Sequence, residues 1–523
     1  MRSHRHGGLT PTTHTKGRPG SWGWEQKFEP ARLLSLISNP RHIECLPVLR
    51  LSISGTVSGM ANEERAGYWW TPELPEKRVP GTLHISDQNE LKLVLIGGLE
   101  CDESATPRRR APLGLGEFKS IIGECESEPI TLLDCQVFSR RSTLHGGEDY
   151  HQTIEASAGV LGASVTNWTD AEFNKICMQL ENLGSMNGSP TGMNADGSID
   201  LSDETGSPKQ AEHEGVKYLL SFHNSNRRVD RLTSGVTISH QAYYTIDATF
   251  PEVLTFEKLI DHVRRVQDMV SFCANSSSAV VKAELRKVEF DENGEVELTE
   301  SRPSLLVYSG LATLDPTAVA VWPEDTFVSF DTIKFEELIP RWFEFAKKFE
   351  IPLNMYLSSL YRAPTYLETR IVTSVTAAEA FHRLTDDHKA LVDNDFALVL
   401  RKLDALPGEL SDWAKRDMRN EPSLKERLVD LVRAIDSREF DNVIKDVNRW
   451  ANLARNLRNN VAHGLKGADL ALARQTFTVA LVADAVFALS VLRWIGLSDD
   501  QISSLLTNNR HLVWCRQMAH KHL

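Results

Sequence analysis

Three residues near the end of one long helical pattern carry the side chains that phosphate chemistry requires. The segment RNNVAHGL, residues 458–465, contains Arg458, Asn459 and His463. Arginine has a permanent charge on a planar fork that binds phosphate, and the histidine imidazole can give or take a proton near neutral pH. The asparagine amide can orient either a ring nitrogen or a phosphoryl oxygen. These residue types therefore predict phosphate binding together with proton transfer.

The helix that must position these residues is predicted over 440–462. Apolar side chains recur there in steps of three and four residues, which indicates one buried stripe: Val443, Val447, Trp450, Leu453, Leu457 and Val461. Gly464 is well placed to end the helix in the left-handed conformation. His463 then falls in the last turn, where the helix dipole favours the protonated imidazole. A solvated, amide-rich helix end without any function is the simpler alternative.

The spacing between the arginine and the histidine is a weak signal by itself, because the chain contains it three times. The pairs are Arg140 with His145, Arg383 with His388, and Arg458 with His463. The first pair lies among predicted strands, and the second crosses a charged helix end. Only the third lies in a long amphipathic pattern, has an amide directly after the arginine, and ends on glycine. We therefore place the candidate site at the third pair.

Composition and charge are those of a soluble multidomain protein. The chain has 523 residues, which is too long for one ordinary core, and its formal net charge is −13. This acidic balance disfavours a broad nucleic-acid-coating surface but leaves room for a small basic cleft. The seven cysteines form no C-x-x-C pair and have irregular spacing, so neither a disulfide framework nor a zinc site is predicted. We expect a cytoplasmic protein that needs no metal and no cofactor.

One apolar run, residues 477–497, is long enough to suggest a membrane span, but it contains Asp484 and Arg493. A charge at the centre of a bilayer costs roughly 2.5–3.5 kcal/mol even on the lenient scale. We therefore predict a buried core helix, within a helical pattern over 470–494, and no membrane partner.

The pattern of the chain changes near residue 330 and predicts an α+β protein of two folded parts. Before this point, runs of β-branched and aromatic residues alternate with period two, which predicts a sandwich or a pair of curved sheets. A single helix is expected within this part, over 256–275. After residue 330, helical patterns joined by short loops predict an all-α bundle. The expected boundaries are 1–45 for a disordered leader, 46–325 for the β-rich domain with a flexible loop over 181–215, 330–512 for the bundle, and 513–523 for a tail.

Both parts resemble one known family, and they occur in its order. RNNVAHG within a helical bundle is similar to the signature of the HEPN superfamily: an arginine, a polar residue, and a histidine. Residues 366–384 resemble the opening helix of the ApeA-like HEPN subgroup, with Glu379 before the aromatic Phe381. The front half is similar to the ApeA N-terminal domain, in which a glycine, a tryptophan pair, a proline and a Gly-Thr-Leu strand recur: Gly67, Trp69, Trp70, Pro80 and Gly81–Leu83. The resemblance covers roughly residues 48 to 510.

This resemblance implies a metal-independent endoribonuclease of bacterial anti-phage defence, acting by abortive infection. HEPN nucleases work as dimers in which two motifs face each other, and ApeA-like proteins cut tRNA or other cellular RNA once infection is sensed. Carried over by motif, Arg458 would hold the scissile phosphate, His463 would transfer a proton, and Asn459 would position one of them. Glu379 is a candidate supporting residue. The implied partners are RNA, a second copy of the chain bound through the bundle, and a phage trigger sensed by the N-terminal domain.

Simpler alternatives stay open for each of these features. The bundle could be a catalytically silent scaffold or RNA-binding sensor that only dimerises, although the intact arginine, asparagine and histidine favour the nuclease. A peptide- or carbohydrate-binding β-protein with a helical oligomerisation tail would also have this organisation. Glu379 could be an ordinary exposed helix glutamate. The aromatic run at 68–70 could stack bases, but packing within the β-domain is the commoner role of such a run.

Overall fold

The first six strands close into an antiparallel barrel in a computed structural model of the protein. They pair in the order β3-β2-β1-β4-β5-β6, and β3 also pairs with β6, which closes the ring. Alternate side chains of each strand point inward, as the buried Leu91, Leu93 and Leu95 of β3 illustrate. The six strands are β1 (Glu63–Trp70), β2 (Val79–Ile85), β3 (Leu91–Ile96), β4 (Glu117–Cys125), β5 (Glu128–Arg141) and β6 (His151–Leu161).

The leader expected over 1–45 lies outside the residues that the structure describes. The described residues are 63–86, 88–100, 116–141, 151–187, 208–232, 235–291, 296–297, 302–311, 320–362, 366–386, 388–416, 418–435, 440, 443–462 and 470–523.

Trp69 fills the barrel interior. Its side chain is fully buried, and its indole N–H donates to the Gly81 carbonyl at 3.2 Å. Gly123 on β4 makes room for the ring, because a Cβ at that position would lie 2.3 Å from the indole carbons. The neighbouring Trp70 is half-buried, with the Arg78 guanidinium carbon 4.3 Å from its ring centre. Trp69 therefore serves as barrel core, and its burial leaves no face for stacking on a base.

Beyond the barrel, the same sheet continues without a break. The first half of β6 pairs with β3, and its second half pairs with β14. The order then runs β14-β11-β7-β10-β9-β8, so all twelve strands form one sheet. The expected sandwich or pair of sheets is corrected accordingly, because β6 is long enough to serve both parts. The further strands are β7 (Ala171–Leu180), β8 (Lys209–His213), β9 (Val216–Leu232), β10 (Gly235–Thr255), β11 (Val280–Arg286) and β14 (Ser304–Tyr308), with β12 (Glu289–Phe290) and β13 (Val296–Glu297) in a separate ribbon.

The loop predicted over 181–215 is shorter than expected at both ends. A helical turn, Leu183–Met186, follows β7, and β8 occupies Lys209–His213. Leu183 and Met186 are both buried, which holds the first end against the sheet. The polar composition of the whole stretch masks these two apolar anchors, and residues 188–207 lie outside the described ranges.

One helix joins the sheet to the helical half. Helix α1 (Phe256–Ala274) agrees with the prediction over 256–275 and packs on β7 and β10. Thr255 caps it by accepting a hydrogen bond from the Lys258 amide at 3.4 Å. The next helix, α2 (Phe335–Lys348), docks on α1 through Trp342, a fully buried side chain whose indole N–H donates to the Arg265 carbonyl at 2.9 Å.

The C-terminal half is an all-α bundle, which confirms the predicted fold class. Its core is a set of four helices, α4, α7, α8 and α9, each of which contacts the other three. The helices after α2 are α3 (Glu350–Tyr361), α4 (Leu367–Thr385), α5 (Asp393–Asp404), α6 (Gly408–Arg416), α7 (Leu424–Ile435), α8 (Val447–Ala462), α9 (Leu470–Trp494), α10 (Asp499–Asn508) and α11 (Arg510–His522).

Two helix boundaries differ from the predictions. Helix α8 begins at Val447 and not at residue 440, because Asp446 accepts a hydrogen bond from the Arg449 amide at 2.9 Å and so caps the helix there. The tail expected over 513–523 is the larger part of α11, which Asn509 caps by accepting from the Leu512 amide at 3.2 Å. Cys515 is buried in this helix against the bundle, which explains why the segment folds.

Helix α9 is the one described helix that is long and apolar enough to cross a membrane. Its most apolar window of 18 residues is 94% buried inside the protein. The prediction of a buried core helix is therefore confirmed. Asp484, within that helix, is paired with Arg370 of α4 at 3.2 Å, which explains how a charge is held in an apolar core.

Candidate functional site

Arg458 lies at the edge of the four-helix core, where α8 meets α4. The buried stripe of α8, with Trp450 and Leu457 among its members, faces the bundle. Arg458 follows directly on this stripe, and its Nη2 donates to Glu379 Oε2 on α4 at 3.3 Å. The Arg458 side chain is 35% exposed, whereas that of Glu379 is only 12% exposed. The carboxylate is thus inside the protein, and it holds a guanidinium that solvent still reaches.

Glu379 binds a second arginine at the same time. Arg383 lies one turn further along α4, and its Nη2 donates to Glu379 Oε1 at 3.1 Å. Each carboxylate oxygen therefore has its own guanidinium. The simpler interpretation of Glu379 as an exposed helix glutamate is wrong, because the packing of α8 against α4 covers its carboxylate.

The ion pairs continue from Arg383 to α7. Arg383 Nη1 donates to Glu421 Oε2 at 2.6 Å, and Arg427 Nη2 donates to the same oxygen at 3.2 Å. Burial opposes the charge of Arg383, but its bonds to Glu379 and Glu421 outweigh burial and raise the pKa of Arg383. The hydrogen bond from Arg383 likewise lowers the pKa of Glu421. We name Arg458, Glu379, Arg383, Glu421 and Arg427 the arginine cluster; its three cations and two anions give a formal charge of +1.

The remaining predicted site residues are described only in part. Asn459 is exposed, and its Oδ1 lies 3.5 Å from Arg458 Nη1, at the limit of a hydrogen bond. His463 and Gly464 lie outside the described residues. The structure thus brings Arg458, Glu379 and Asn459 together at the end of α8, and the position of the histidine relative to them is a prediction.

Arg383, Glu421 and Arg427 are the members of the cluster that the sequence analysis did not predict, and Arg383 is the one for which the sequence held a signal. It belongs to the second arginine–histidine pair, which was set aside because it crosses a charged helix end. The available signal was the spacing of Glu379 and Arg383, since an acid four residues before a base marks a helical ion pair. His388, the histidine of that pair, is not a member of the cluster: its Nδ1 is 2.8 Å from Asp386 Oδ2, and its Nε2 is 3.7 Å from Asp430.

Two clusters in the described part of the chain have the residue types of a metal site, and neither fits a cation well. His382, Asp386 and His388 offer atoms within 4.8 Å of one another. However, Arg427 Nη1 lies 3.3 Å from His382 Nδ1, and guanidinium can only donate, so Nδ1 accepts and Nε2 carries the hydrogen. Burial, and then the charge of Arg427, lowers the pKa of His382. The same fixed charge repels a metal cation.

The second cluster lies at the junction of the sheet and the bundle. It consists of His213, Glu214 and Glu344. Lys347 already neutralises Glu214 at 3.0 Å, and both of these side chains are exposed to solvent. This arrangement is typical of a surface ion pair, which contributes little to binding or stability.

Comparison with known proteins agrees with this architecture. Residues 64–342 match the family model described as ApeA N-terminal domain 1, which covers more than half of the chain. Residues 372–501 match the model described as Apea-like HEPN, and this range includes Glu379, Arg383 and Arg458. No curated protein and no solved structure matches the chain.

A β-rich N-terminal domain followed by a helical bundle of this type defines the class of HEPN proteins that carry a separate N-terminal domain. Within that class, the chain belongs to the ApeA-like HEPN family. HEPN domains are generally nucleases that act on RNA and dimerise, and this family is of the defence type. The resemblance seen in the sequence is therefore confirmed at the level of the family.

Proposed function

We propose that this protein is a metal-independent endoribonuclease of anti-phage defence, which cuts tRNA or another cellular RNA and so aborts infection. One observation carries the proposal: Arg458 is fixed by the nearly buried carboxylate of Glu379, yet a third of its side chain is open to solvent. A guanidinium held in this way is positioned before the substrate arrives. It can still present N–H groups to a phosphate from outside the bundle.

The proposed reaction uses the nucleophile that RNA already has. The ribose 2′-oxygen attacks phosphorus, the bond from phosphorus to the 5′-oxygen breaks, and the products are a 2′,3′-cyclic phosphate and a 5′-hydroxyl. His463 accepts the proton of the 2′-hydroxyl, and the histidine of a second copy donates a proton to the departing oxygen. Two copies related by a twofold axis supply both roles from one position in the sequence. Arg458 stabilises the charge that develops on the phosphoryl oxygens, and Asn459 orients one of the reacting groups.

The charge of the arginine cluster suits this substrate. Its formal charge of +1 complements the single negative charge of a phosphodiester, whereas the chain as a whole is acidic. Glu379 has two guanidinium partners, so Arg458 can turn one edge of its fork toward a phosphate without leaving the carboxylate unpaired. A small cationic cleft of this kind fits one scissile phosphate better than a long stretch of RNA.

The proposal extends to the partners and to the place of action. We propose that the protein works in the cytoplasm as a homodimer formed through the helical bundle, and that the β-rich domain senses a phage trigger. The proposed domain limits are 46–325 for the sensor, as expected from the sequence, and 330–523 for the nuclease, because α11 packs on the bundle.

Purified protein is expected to cut RNA in the presence of EDTA and to leave 2′,3′-cyclic phosphate ends. The His463→Ala variant should be slower by about 10²–10⁴-fold, the contribution of one general base or acid. Loss of cleavage in chelator would refute the metal-free mechanism. A protein that cuts no RNA, with His463→Ala equal to wild type against phage, would leave the silent scaffold as the better hypothesis. Sequencing of cleaved RNA ends in expressing cells separates the two.

The Glu379→Gln variant is expected to lower RNA cleavage by about tenfold, because a hydrogen bond to a charged group contributes about 1.5–3 kcal/mol and the amide keeps only part of it. Arg458 would then be less well fixed, although its own charge is unchanged. Glu368→Gln is the matched control, since Glu368 lies exposed on the same helix. If both variants lost the same amount of cleavage activity, the removal of a negative charge from α4 would explain the result, and not the bond between Arg458 and Glu379. Steady-state cleavage rates and the unfolding temperature are the measurements.

A further inference from the structure

A helical hairpin stands out from the bundle, and no other element that the structure describes covers it. It consists of α5 and α6, residues 393–416, between α4 and α7. Helix α5 has no buried residue, and α6 buries only Ser411. The hairpin is pinned at its base, where the Leu391 amide donates to Asn420 Oδ1 and Asn420 Nδ2 donates to the Leu391 carbonyl, both at 2.8 Å. The hairpin is therefore attached firmly, and its helices are open to solvent.

Apolar side chains are concentrated on this exposed hairpin and at its base. Of the fifteen large apolar side chains that are exposed in the described part of the chain, seven lie between residues 384 and 413. Trp413 is the most exposed of them, at 71%. Such concentrations mark interaction surfaces in soluble proteins. The seven are Leu384, Leu391, Val392, Leu398, Leu406, Leu410 and Trp413.

One face of the hairpin alternates apolar and charged residues. Asp395, Leu398 and Lys402 follow one another in steps of three and four residues, so they form a single stripe along α5, and all three are exposed. The acid lies toward the start of the helix and the base toward its end. Neither Asp395 nor Lys402 forms an ion pair with any residue that the structure describes.

This stripe is complementary to itself when a second copy runs in the opposite direction. A twofold axis near Leu398 places Asp395 of each copy opposite Lys402 of the other, because the two lie at nearly equal distances on either side of Leu398 along the helix. The two Leu398 side chains then meet at the centre. Parallel alignment would instead bring like charges together, so the charges select the antiparallel register.

We propose that the hairpin is the surface through which a second copy of this chain binds, with the two α5 helices antiparallel. The proposal rests on the proposed function in one respect, since a composite nuclease site needs two copies. The base of the hairpin lies next to that site. Asn420 pins the base of the hairpin, and the next residue, Glu421, belongs to the arginine cluster. The base of the hairpin therefore adjoins the arginine cluster along the chain.

Sedimentation velocity of the full chain tests this proposal without using RNA. Wild type is expected to be a dimer at micromolar concentration, and Leu398→Glu is expected to weaken the dimer at least about tenfold by placing two carboxylates at the centre. Ile351→Glu is the matched control, because Ile351 is an aliphatic residue 70% exposed on α3, away from the hairpin in sequence. A monomeric wild type, or a Leu398→Glu variant that dimerises like the control, would overturn the proposal.

A charge exchange gives a second and more specific test. Asp395→Lys makes the stripe wholly basic, and Lys402→Glu makes it wholly acidic, so each variant alone should dimerise about tenfold more weakly than wild type. Mixed together, the two variants should form a heterodimer at close to wild-type affinity. A mixture no better than either variant alone would contradict the antiparallel register.

The same proteins separate this inference from the proposed nuclease. Arg458→Ala is expected to remain dimeric while losing cleavage. If wild type cuts no RNA but still dissociates on Leu398→Glu, the interface is right and the nuclease proposal is wrong. If wild type cuts RNA but Leu398→Glu dimerises as tightly as wild type, the interface proposal is wrong and the nuclease proposal stands.

Discussion

Replacing Arg458 with alanine is expected to slow RNA cleavage by about 10²–10³-fold, the loss that follows removal of one fixed donor to a developing oxyanion. The fold should tolerate the change. Arg458 is 35% exposed, and ion pairs near the surface contribute only about 0–1 kcal/mol. Glu379 would also keep Arg383 as its partner at 3.1 Å. Single-turnover cleavage rates, measured beside thermal unfolding, separate a catalytic effect from a loss of folded protein.

Arg455→Ala is the control for this prediction. Arg455 lies almost one turn earlier on the same helix, and its guanidinium hydrogen-bonds Asn456, outside the arginine cluster. The variant has the same loss of charge and should cleave RNA at close to the wild-type rate. Arg458→Lys should be intermediate, because lysine keeps the charge but lacks the planar fork. If the two alanine variants were equally slow, general attraction of RNA to α8 would explain the result better than a phosphate-binding residue.

The largest effect on stability is expected from Arg370→Met, which should lower the free energy of unfolding by about 3–5 kcal/mol at neutral pH. Arg370 and Asp484 form an ion pair at 3.2 Å between α4 and α9, with side chains only 14% and 11% exposed. Burial raises the pKa of Asp484, and the charge of Arg370 and a bond from Ser374 oppose that rise. Without the arginine, an ionised carboxylate would be left in the apolar core.

The pH dependence gives this prediction a definite sign. Removing Arg370 raises the folded-state pKa of Asp484 further above its unfolded value. Between these two pKa values the folded protein binds a proton that the unfolded chain does not, so stability rises as the pH falls. The destabilisation should therefore be largest at neutral pH and smaller in mildly acidic buffer, where Asp484 becomes neutral. Urea unfolding at two pH values measures the difference. A deficit that did not change with pH would mean that lost packing, and not the bare carboxylate, is responsible.

The double variant Arg370→Met with Asp484→Leu is the companion experiment. Replacing both members of a buried pair with apolar residues is often neutral or stabilising, so most of the lost stability should return. A double variant as unstable as Arg370→Met alone would show that the pair also has a packing role. The experiment also tests whether the apolar helix α9 tolerates Asp484 only because Arg370 neutralises it.

The sequence by itself determined the features that depend on local periodicity. A period of two in the front half and of about 3.6 after residue 330 predicted strands followed by a bundle. The apolar stripe that includes Trp450 and Leu457 predicted α8 and its buried face. Glu379 and Arg458 were both named from short motifs, and the structure brings them within 3.3 Å. These patterns can be recognised in the sequence because each one is set by residues only a few positions apart.

Tertiary structure alone decided which distant segments meet. Closure of the barrel depends on pairing between β3 and β6, more than fifty residues apart, and no local pattern specifies that register. The pair of Glu379 and Arg383 is local to α4, but Arg458 joins it only because α8 packs against α4. The exposure of the α5–α6 hairpin has the same origin. Its amphipathic pattern predicts a helix with an apolar face, but only the packing of the other helices shows that this face is left uncovered.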